Sequence, residues 1–93
     1  MSQKKRQNSD SLLEFPCRFP IKAMGKAEGG FPAIFAHIIH THAELWPDET
    51  ISSNPSRKGN YIALTAVIEA TSQQQLDAIY QALTDCPDVL MAL

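Results

Sequence analysis

The sequence predicts an α+β fold, in which helices and strands alternate along one short chain. Two segments, 31–42 and 76–83, repeat apolar residues every three or four positions, as amphipathic helices do. A third segment, Ile62–Ala70, alternates its side chains with the two-residue period of a strand. The chain has 93 residues, of which 44% are apolar, so it is large enough for one domain with a single core.

Apolar side chains at every second position predict a first strand that ends at Gly25. Proline lacks the N–H that a ladder needs and is confined to edges, bulges and strand starts. Because of Pro20, we place the beginning of this strand near Ile21. Pro32 suits the first turn of a following helix, where its missing N–H is not needed. The apolar stripe of that helix consists of Phe31, Ile34, Phe35, Ile38, Ile39 and His42.

Residues 50–54 are predicted as a polar edge strand that Pro55 closes, and the turn 56–59 leads into the long strand Ile62–Ala70. The alternation of the long strand predicts one face packed against the helices and one open face. The packed face consists of Ile62, Leu64, Ala66, Ile68 and Ala70, and the open face of Tyr61, Ala63, Thr65, Val67 and Glu69.

The second helix is predicted to begin with a capping box, in which Thr71 or Ser72 precedes a glutamine at Gln74 or Gln75. Pro87 ends this helix, and residues 89–91 are predicted as a short buried strand. The helical stripe consists of Leu76, Ile79, Tyr80 and Leu83. The order β-α-β-β-α-β predicts a ferredoxin-like sandwich, with a four-stranded antiparallel sheet and two helices on one face.

Residues 1–11 are polar and are predicted to form a flexible tail, whereas residues 12–93 are predicted to form a single domain. The tail lacks the apolar stretch of a signal peptide, and no apolar run reaches the roughly 20 residues that span a bilayer. Cys17 and Cys86 are isolated thiols, which argues against a disulfide framework or a zinc site. We therefore predict a cytoplasmic protein without membrane contact.

The histidines and cysteines do not predict a catalytic or metal site. His37 and His40 fall on the polar face of the first helix and His42 falls in its apolar stripe, so three ligands on one face are excluded, and a surface site of two histidines is the alternative. Cys17 has no histidine near it in sequence, the carboxylates form no evident pair, and the glycines match no phosphate-binding loop. We predict a non-catalytic protein without a cofactor or a metal.

The segment 57–61 places two cations, a glycine and an aromatic residue directly before the long strand. As a structural element it is a solvated β-turn, in which Gly59 or Asn60 adopts positive φ. As a functional element it is a contact for an anion or a partner, because backbone N–H groups and two cations converge there. The predicted ligand- or partner-binding residues are Arg57, Lys58, Gly59, Asn60 and Tyr61.

The open face of the predicted sheet allows two further hypotheses. RNA-recognition modules also place a basic-glycine-aromatic run on their third strand, but they stack bases on several aromatics. Here the face offers Tyr61 alone and the net charge is −2, so binding of RNA or another single strand is the alternative function. Met24, Ala63 and Val67 favour coverage of this face by a protein partner or by a second copy of the chain.

Four short motifs stand in order along residues 12–93, and they are Leu13-Glu14-Phe15-Pro16, Lys22-Ala23-Met24-Gly25, His42-Ala43 and Lys58-Gly59-Asn60-Tyr61. In these motifs the chain resembles the YbeD-like family of small, uncharacterised bacterial proteins. The resemblance implies a ferredoxin-like fold similar to ACT-type regulatory domains, which bind small effectors and associate through their sheets. It also implies a lipoate-related regulator. The chain departs from the family pattern at Arg57, where a small polar residue is usual, and at Pro20.

The sequence therefore predicts a cytoplasmic regulatory or interaction module. Its predicted partners are another protein or a second copy, bound through the open sheet face, together with a small-molecule effector.

Overall fold

The computed structural model describes residues 13–93, so the predicted tail, 1–11, lies outside the described residues. The elements follow the predicted order β-α-β-β-α-β. They are β1 (Cys17–Lys26), α1 (Phe31–His42), β2 (Ser52–Pro55), β3 (Tyr61–Ala70), α2 (Gln73–Asp85) and β4 (Val89–Ala92). The four strands form one antiparallel sheet in the order β2-β3-β1-β4, which confirms the ferredoxin-like fold.

The two helices and one face of the sheet enclose a single apolar core. Ala66, Ile68 and Ala70 of β3 are fully buried and Leu64 is 3% exposed, so the predicted packed face of the long strand is correct, with Ile62 half-buried at its beginning. The helices contribute six buried side chains, which are Phe31, Phe35 and Ile39 from α1 and Leu76, Ile79 and Leu83 from α2.

The predicted start of the first strand is wrong, because β1 begins at Cys17 and includes Pro20. Lys22 exchanges two main-chain hydrogen bonds with Leu93, so its N–H points towards β4. The nitrogen of Pro20, two residues earlier, points to the same side of β1, where β4 no longer runs alongside. The missing N–H of Pro20 therefore removes no hydrogen bond from the ladder.

The prediction that the last strand is buried is wrong for its two middle residues. Val89 and Ala92 are half-buried, whereas Leu90 and Met91 are 51% and 52% exposed. β4 lies at an edge of the sheet, and its register against β1 shifts by a bulge next to Gly25. This irregularity lets Val89 and Ala92 reach the core while the residues between them stay outside.

Gln75 connects the start of α2 to the end of α1. Ser72 is the N-cap of α2, and its Oγ accepts from the N–H of Gln75 at 3.0 Å, as the predicted capping box requires. The Oε1 of Gln75 accepts from the N–H of Thr71 at 2.7 Å, so the reciprocal bond of the capping box goes to the residue before the N-cap. Its Nε2 donates to the carbonyl oxygen of His42 at 3.0 Å, at the last residue of α1.

Substitution Gln75→Ala should lower the free energy of unfolding by about 1–2 kcal/mol, because it removes a partly buried hydrogen bond to His42 and an exposed one from Thr71. Urea denaturation measures this change. The matched control is Gln81→Ala on the exposed side of α2, which loses a single exposed bond to Asp85 and should change stability by about 0.5 kcal/mol or less. Equal losses in the two variants would contradict the connecting role of Gln75.

Substitution Gly25→Ala should lower stability by about 1–3 kcal/mol, because an added Cβ would overfill the space between β1, β4 and α1. That Cβ would lie 2.6 Å from the main-chain oxygen of Asp88 and 2.6 Å from Cγ of Phe31. Gly30→Ala is the control, since its nearest contact is Cδ1 of Ile34 at an ordinary 3.6 Å. Thermal unfolding of both variants checks this; a Gly25→Ala protein as stable as the control would refute the packing argument.

Tyr80 should ionise only at unusually high pH, because burial raises the pKa of its phenol above 10.0. Its hydroxyl also donates to the main-chain oxygen of Leu93 at 2.8 Å. The pKa of Tyr80 is higher in the folded state than in the unfolded state. The stability that the neutral, buried phenol contributes is therefore complete below pH 10 and is lost as the pH rises through the folded-state pKa.

The variant Tyr61→Phe leaves Tyr80 as the single tyrosine, so its phenolate absorbance can be titrated directly. The titration midpoint should lie above the midpoint of the same variant unfolded in urea. Coincident midpoints would show that Tyr80 is solvated in the folded state.

Candidate functional site

The turn before β3 is a closed, internally hydrogen-bonded structure. The carbonyl oxygen of Ser56 accepts from the N–H of Gly59 at 2.9 Å, and Gly59 has a φ of +77°, so the predicted positive φ falls on the glycine. The Oγ of Ser56 accepts from the N–H of Tyr61 at 3.1 Å, and the N–H of Ser56 donates to the carbonyl of Tyr61 at 2.8 Å. Ser56 therefore sets the geometry of the turn.

The hydrogen bonds inside the turn leave fewer main-chain donors for an anion than the sequence predicts. The N–H groups of Gly59 and Tyr61 already donate to Ser56, so they are not available to an anion. The charged side chains of Arg57 and Lys58 are exposed. A ligand at the turn would therefore be bound by side chains rather than by a cluster of main-chain donors.

A depression of about 260 Å³ lies beside the turn, where the end of β1 meets the start of β3. Lys26 pairs with Tyr61 in the β1–β3 register, and the N–H of Ala27 donates to the carbonyl of Asn60 at 2.9 Å. The lining residues are Lys26, Glu28, Gly59, Asn60 and Tyr61. The structure thus brings three of the five predicted site residues together and adds two charged residues from the other side.

The open face of the sheet continues from this depression as a shallow apolar groove. The register places Met24 between Ala63 and Met91, and it places Lys22 opposite Thr65. One part of the groove, about 90 Å³, is lined by Lys22, Ala23, Met24, Ala63, Thr65, Met91 and Leu93. The other part, about 170 Å³, is lined by Met24, Asn54, Pro55, Ser56, Tyr61, Ile62 and Ala63. Because neighbouring parts share residues, we call the three depressions together the sheet groove.

Large apolar side chains are exposed along the sheet groove. Met24 is 39% exposed, Met91 52% and Leu93 68%, and Tyr61 is 43% exposed at the turn end. The sequence did not predict the contribution of β4, because a buried last strand was expected. The spacing of Lys22, Met24 and Lys26 could have predicted that these side chains share the open face, since every second residue of a strand lies on the same face.

The sheet groove is locally cationic although the chain has a net charge of −2. Lys22 and Lys26 line it, Arg57 and Lys58 adjoin it, and Glu28 is its single lining carboxylate. Within residues 13–93 one ion pair forms, between Arg18 and Glu49 at 2.6 Å. The four cations of the groove therefore have no carboxylate partner within 4.0 Å in that part of the chain.

The histidines lie away from the sheet groove. His37 and His40 are exposed on α1 and His42 is half-buried, with its carbonyl bound by Gln75. Among residues 13–93 no three His, Cys, Asp or Glu side chains are grouped closely enough to hold a metal ion. Cys17 and Cys86 are half-buried free thiols. In the same range no helix is long and apolar enough to cross a membrane.

Similar proteins occur in other bacteria. A UPF0250 protein of Nitrosomonas europaea is 49% identical over 84 residues, which cover 90% of this chain and 97% of the relative. A UPF0250 protein of Paraburkholderia phytofirmans is 41% identical, over 91% of this chain and 96% of its own length.

The solution structure of protein HP0495 from H. pylori shares the fold, with a TM-score of 0.66 over 97% of this chain and 98% of that one, at 14% sequence identity. The family model described as "Protein of unknown function (DUF493)" matches residues 10–93. The chain therefore belongs to the DUF493 family, which confirms the resemblance to YbeD-like proteins.

Proposed function

We propose that this protein is a non-catalytic interaction module of the cytoplasm, which binds through the sheet groove a protein segment that combines apolar with acidic side chains. One observation carries the proposal: within residues 13–93, four cations without a carboxylate partner line or adjoin a groove with exposed apolar side chains. The regulatory role follows from such binding, since a module without chemistry of its own acts by changing what its partner does.

The apolar part of the groove supports a bound segment of protein. The solvated face of an antiparallel sheet is ordinarily polar, yet here Met24, Ala63 and Met91 form a row across three strands. Volumes of about 90 and 170 Å³ are below the roughly 300 Å³ of an ordinary small-molecule site. They suit single apolar side chains, as a bound peptide would present them.

The charges of the groove favour an acidic partner. Lys22 lies at the apolar part, and Lys26 lies at the turn end, next to Arg57 and Lys58. Complementary charge mainly sets the association rate and the choice of partner, and the apolar contacts supply affinity. The departure from the family pattern at Arg57 adds to this cationic end.

The non-catalytic part of the proposal rests on the residues present in the groove. Its lining includes no histidine and no cysteine, and its one carboxylate, Glu28, has no second carboxylate beside it in the lining. A nucleophile with an oriented base, or a pair of carboxylates, is what hydrolytic and transfer chemistry requires.

The turn end also suits a small carboxylate effector of the kind that ACT-type domains bind. At about 260 Å³ the depression is slightly below the roughly 300 Å³ of an ordinary small-molecule site, so it suits only a ligand as small as an amino acid, with Lys26 for its carboxylate and Asn60 for a further polar group. A thermal-shift screen with amino acids and lipoate tests this, because a ligand that binds the folded state raises the unfolding temperature.

Selection of a phage-displayed library of random peptides on the immobilised protein should enrich sequences with apolar residues next to Asp or Glu. Fluorescence anisotropy of an enriched peptide then measures its affinity. The double variant Lys26→Gln/Lys58→Gln should weaken binding about tenfold, because it removes two unpaired cations of the groove.

The matched control is Gln74→Glu/Thr84→Glu, which lowers the net charge equally but on exposed positions of α2. It should bind as the parent does. Enrichment of basic peptides, or equal weakening by both double variants, would refute the proposal. Salt-dependent binding of a single-stranded RNA that the groove variant abolishes would favour the alternative function instead.

A further inference from the structure

The exposed edge strand β4 has the sequence of a buried strand. Val89–Leu93 contains no polar or charged side chain, and such runs are typical of strands that are covered on both faces. Within residues 13–93 the outer side of β4 has no neighbouring strand, and Leu90, Met91 and Leu93 are more than half exposed.

The opposite edge of the sheet is protected against strand addition. β2 is polar and ends in Pro55, and proline and short edge strands are ordinary protecting devices. Beside the far half of β3, the N–H of Trp46 donates to the carbonyl of Val67 at 2.8 Å, and the N–H of Glu69 donates to that of Glu44 at 2.9 Å. On the other side, Pro20 removes one of the outward N–H groups from the uncovered half of β1, between Arg18 and Lys22. The edge strand β4 contains neither a charged residue nor a proline.

The hydrogen bonds of β4 show which of its main-chain groups face outwards. Lys22 and Leu93 exchange bonds of 3.2 and 2.7 Å, so they form a hydrogen-bonded pair of the antiparallel ladder. The next residue pair, Ala23 and Ala92, is then a non-hydrogen-bonded pair. The N–H and the C=O of Ala92 therefore point away from β1, towards the vacant side.

We propose that β4 pairs antiparallel with β4 of a second copy, about a two-fold axis at Ala92, to form one continuous eight-stranded sheet. The two Ala92 residues exchange two main-chain hydrogen bonds. Met91 of each copy then lies opposite Leu93 of the other, so that apolar side chains meet in both cross-strand pairs. A two-fold contact joins the same strand to itself, and β4 carries no charge that would repel its own copy. This inference does not depend on the proposed function.

The bulge determines how much of β4 takes part. It lies at the Val89–Leu90 end, and bulges bend an edge away from pairing. The regular part is therefore short, Met91–Leu93. Interfaces below about 1,200 Å² are weak and transient, so we expect dissociation in the high micromolar range, up to about 1 mM.

Sedimentation velocity and amide hydrogen exchange over a range of concentrations test the proposal on the full chain. The protein should dimerise as the concentration rises, and the Ala92 amide should become protected in the same range. In a mixture of isotope-labelled and unlabelled protein, contacts between Met91 and Leu93 should appear across the interface.

Met91→Lys should raise the dissociation constant about tenfold or more, since it places a charged side chain opposite Leu93 of the second copy, within the paired part of the edge strand. Ala92→Pro should act similarly, because it removes the outward N–H and leaves the bonds between Lys22 and Leu93 in place. Circular dichroism confirms that each variant folds, and Met91→Lys retains the test if the proline variant does not fold.

Ala63→Glu, in the middle of the open face, is the control and should leave the dimer intact. A protein that stays monomeric up to about 1 mM would overturn the proposal. So would a dimer that Ala63→Glu dissociates, because that dimer would use the open face rather than the edge.

Discussion

The antiparallel pairing of β1 with β3 is the constraint on which the rest of the structure depends. It runs unbroken from Cys17 opposite Ala70 to Lys26 opposite Tyr61. Because strand side chains alternate, this one register decides both faces of the sheet. It places Ile21 and Ala66 in the core, and it places Met24 and Ala63 side by side in the sheet groove. A slip of one residue would exchange the core with the groove.

The order of elements and the core were predictable from the sequence, because both follow from local periodicity. The stripe of α1 and the alternation of β3 are visible in the residues themselves, and the cap at Ser72 has a local signature. The edges of the sheet were not predictable in this way. The effect of Pro20 and the exposure of Met91 depend on where β4 ends beside β1. That pairing joins residues that are distant in sequence.

Only the turn of the candidate site was predictable from the sequence, because its residues are neighbours in the chain. The turn 56–59 and its glycine were correctly recognised, since a tight turn has its own residue preferences. The prediction that main-chain donors converge there failed in part, because the Ser56 side chain competes for the Tyr61 N–H. Lys26 was missed, since its position beside Tyr61 depends on strand register. Whether these residues bind a ligand stays a prediction.

The bulge beside Gly25 links the core to the exposed edge. Gly25 lies where Asp88 and Phe31 leave no room for a Cβ, so β4 can approach β1 closely at that point. The shift in register there keeps Val89 and Ala92 in contact with the core and leaves Met91 on the open face. Met91 therefore belongs both to the groove and to the free edge. If β4 pairs with its copy, the two grooves lie side by side in one sheet, and a partner with two matching segments would bind both with the advantage of a linked second contact.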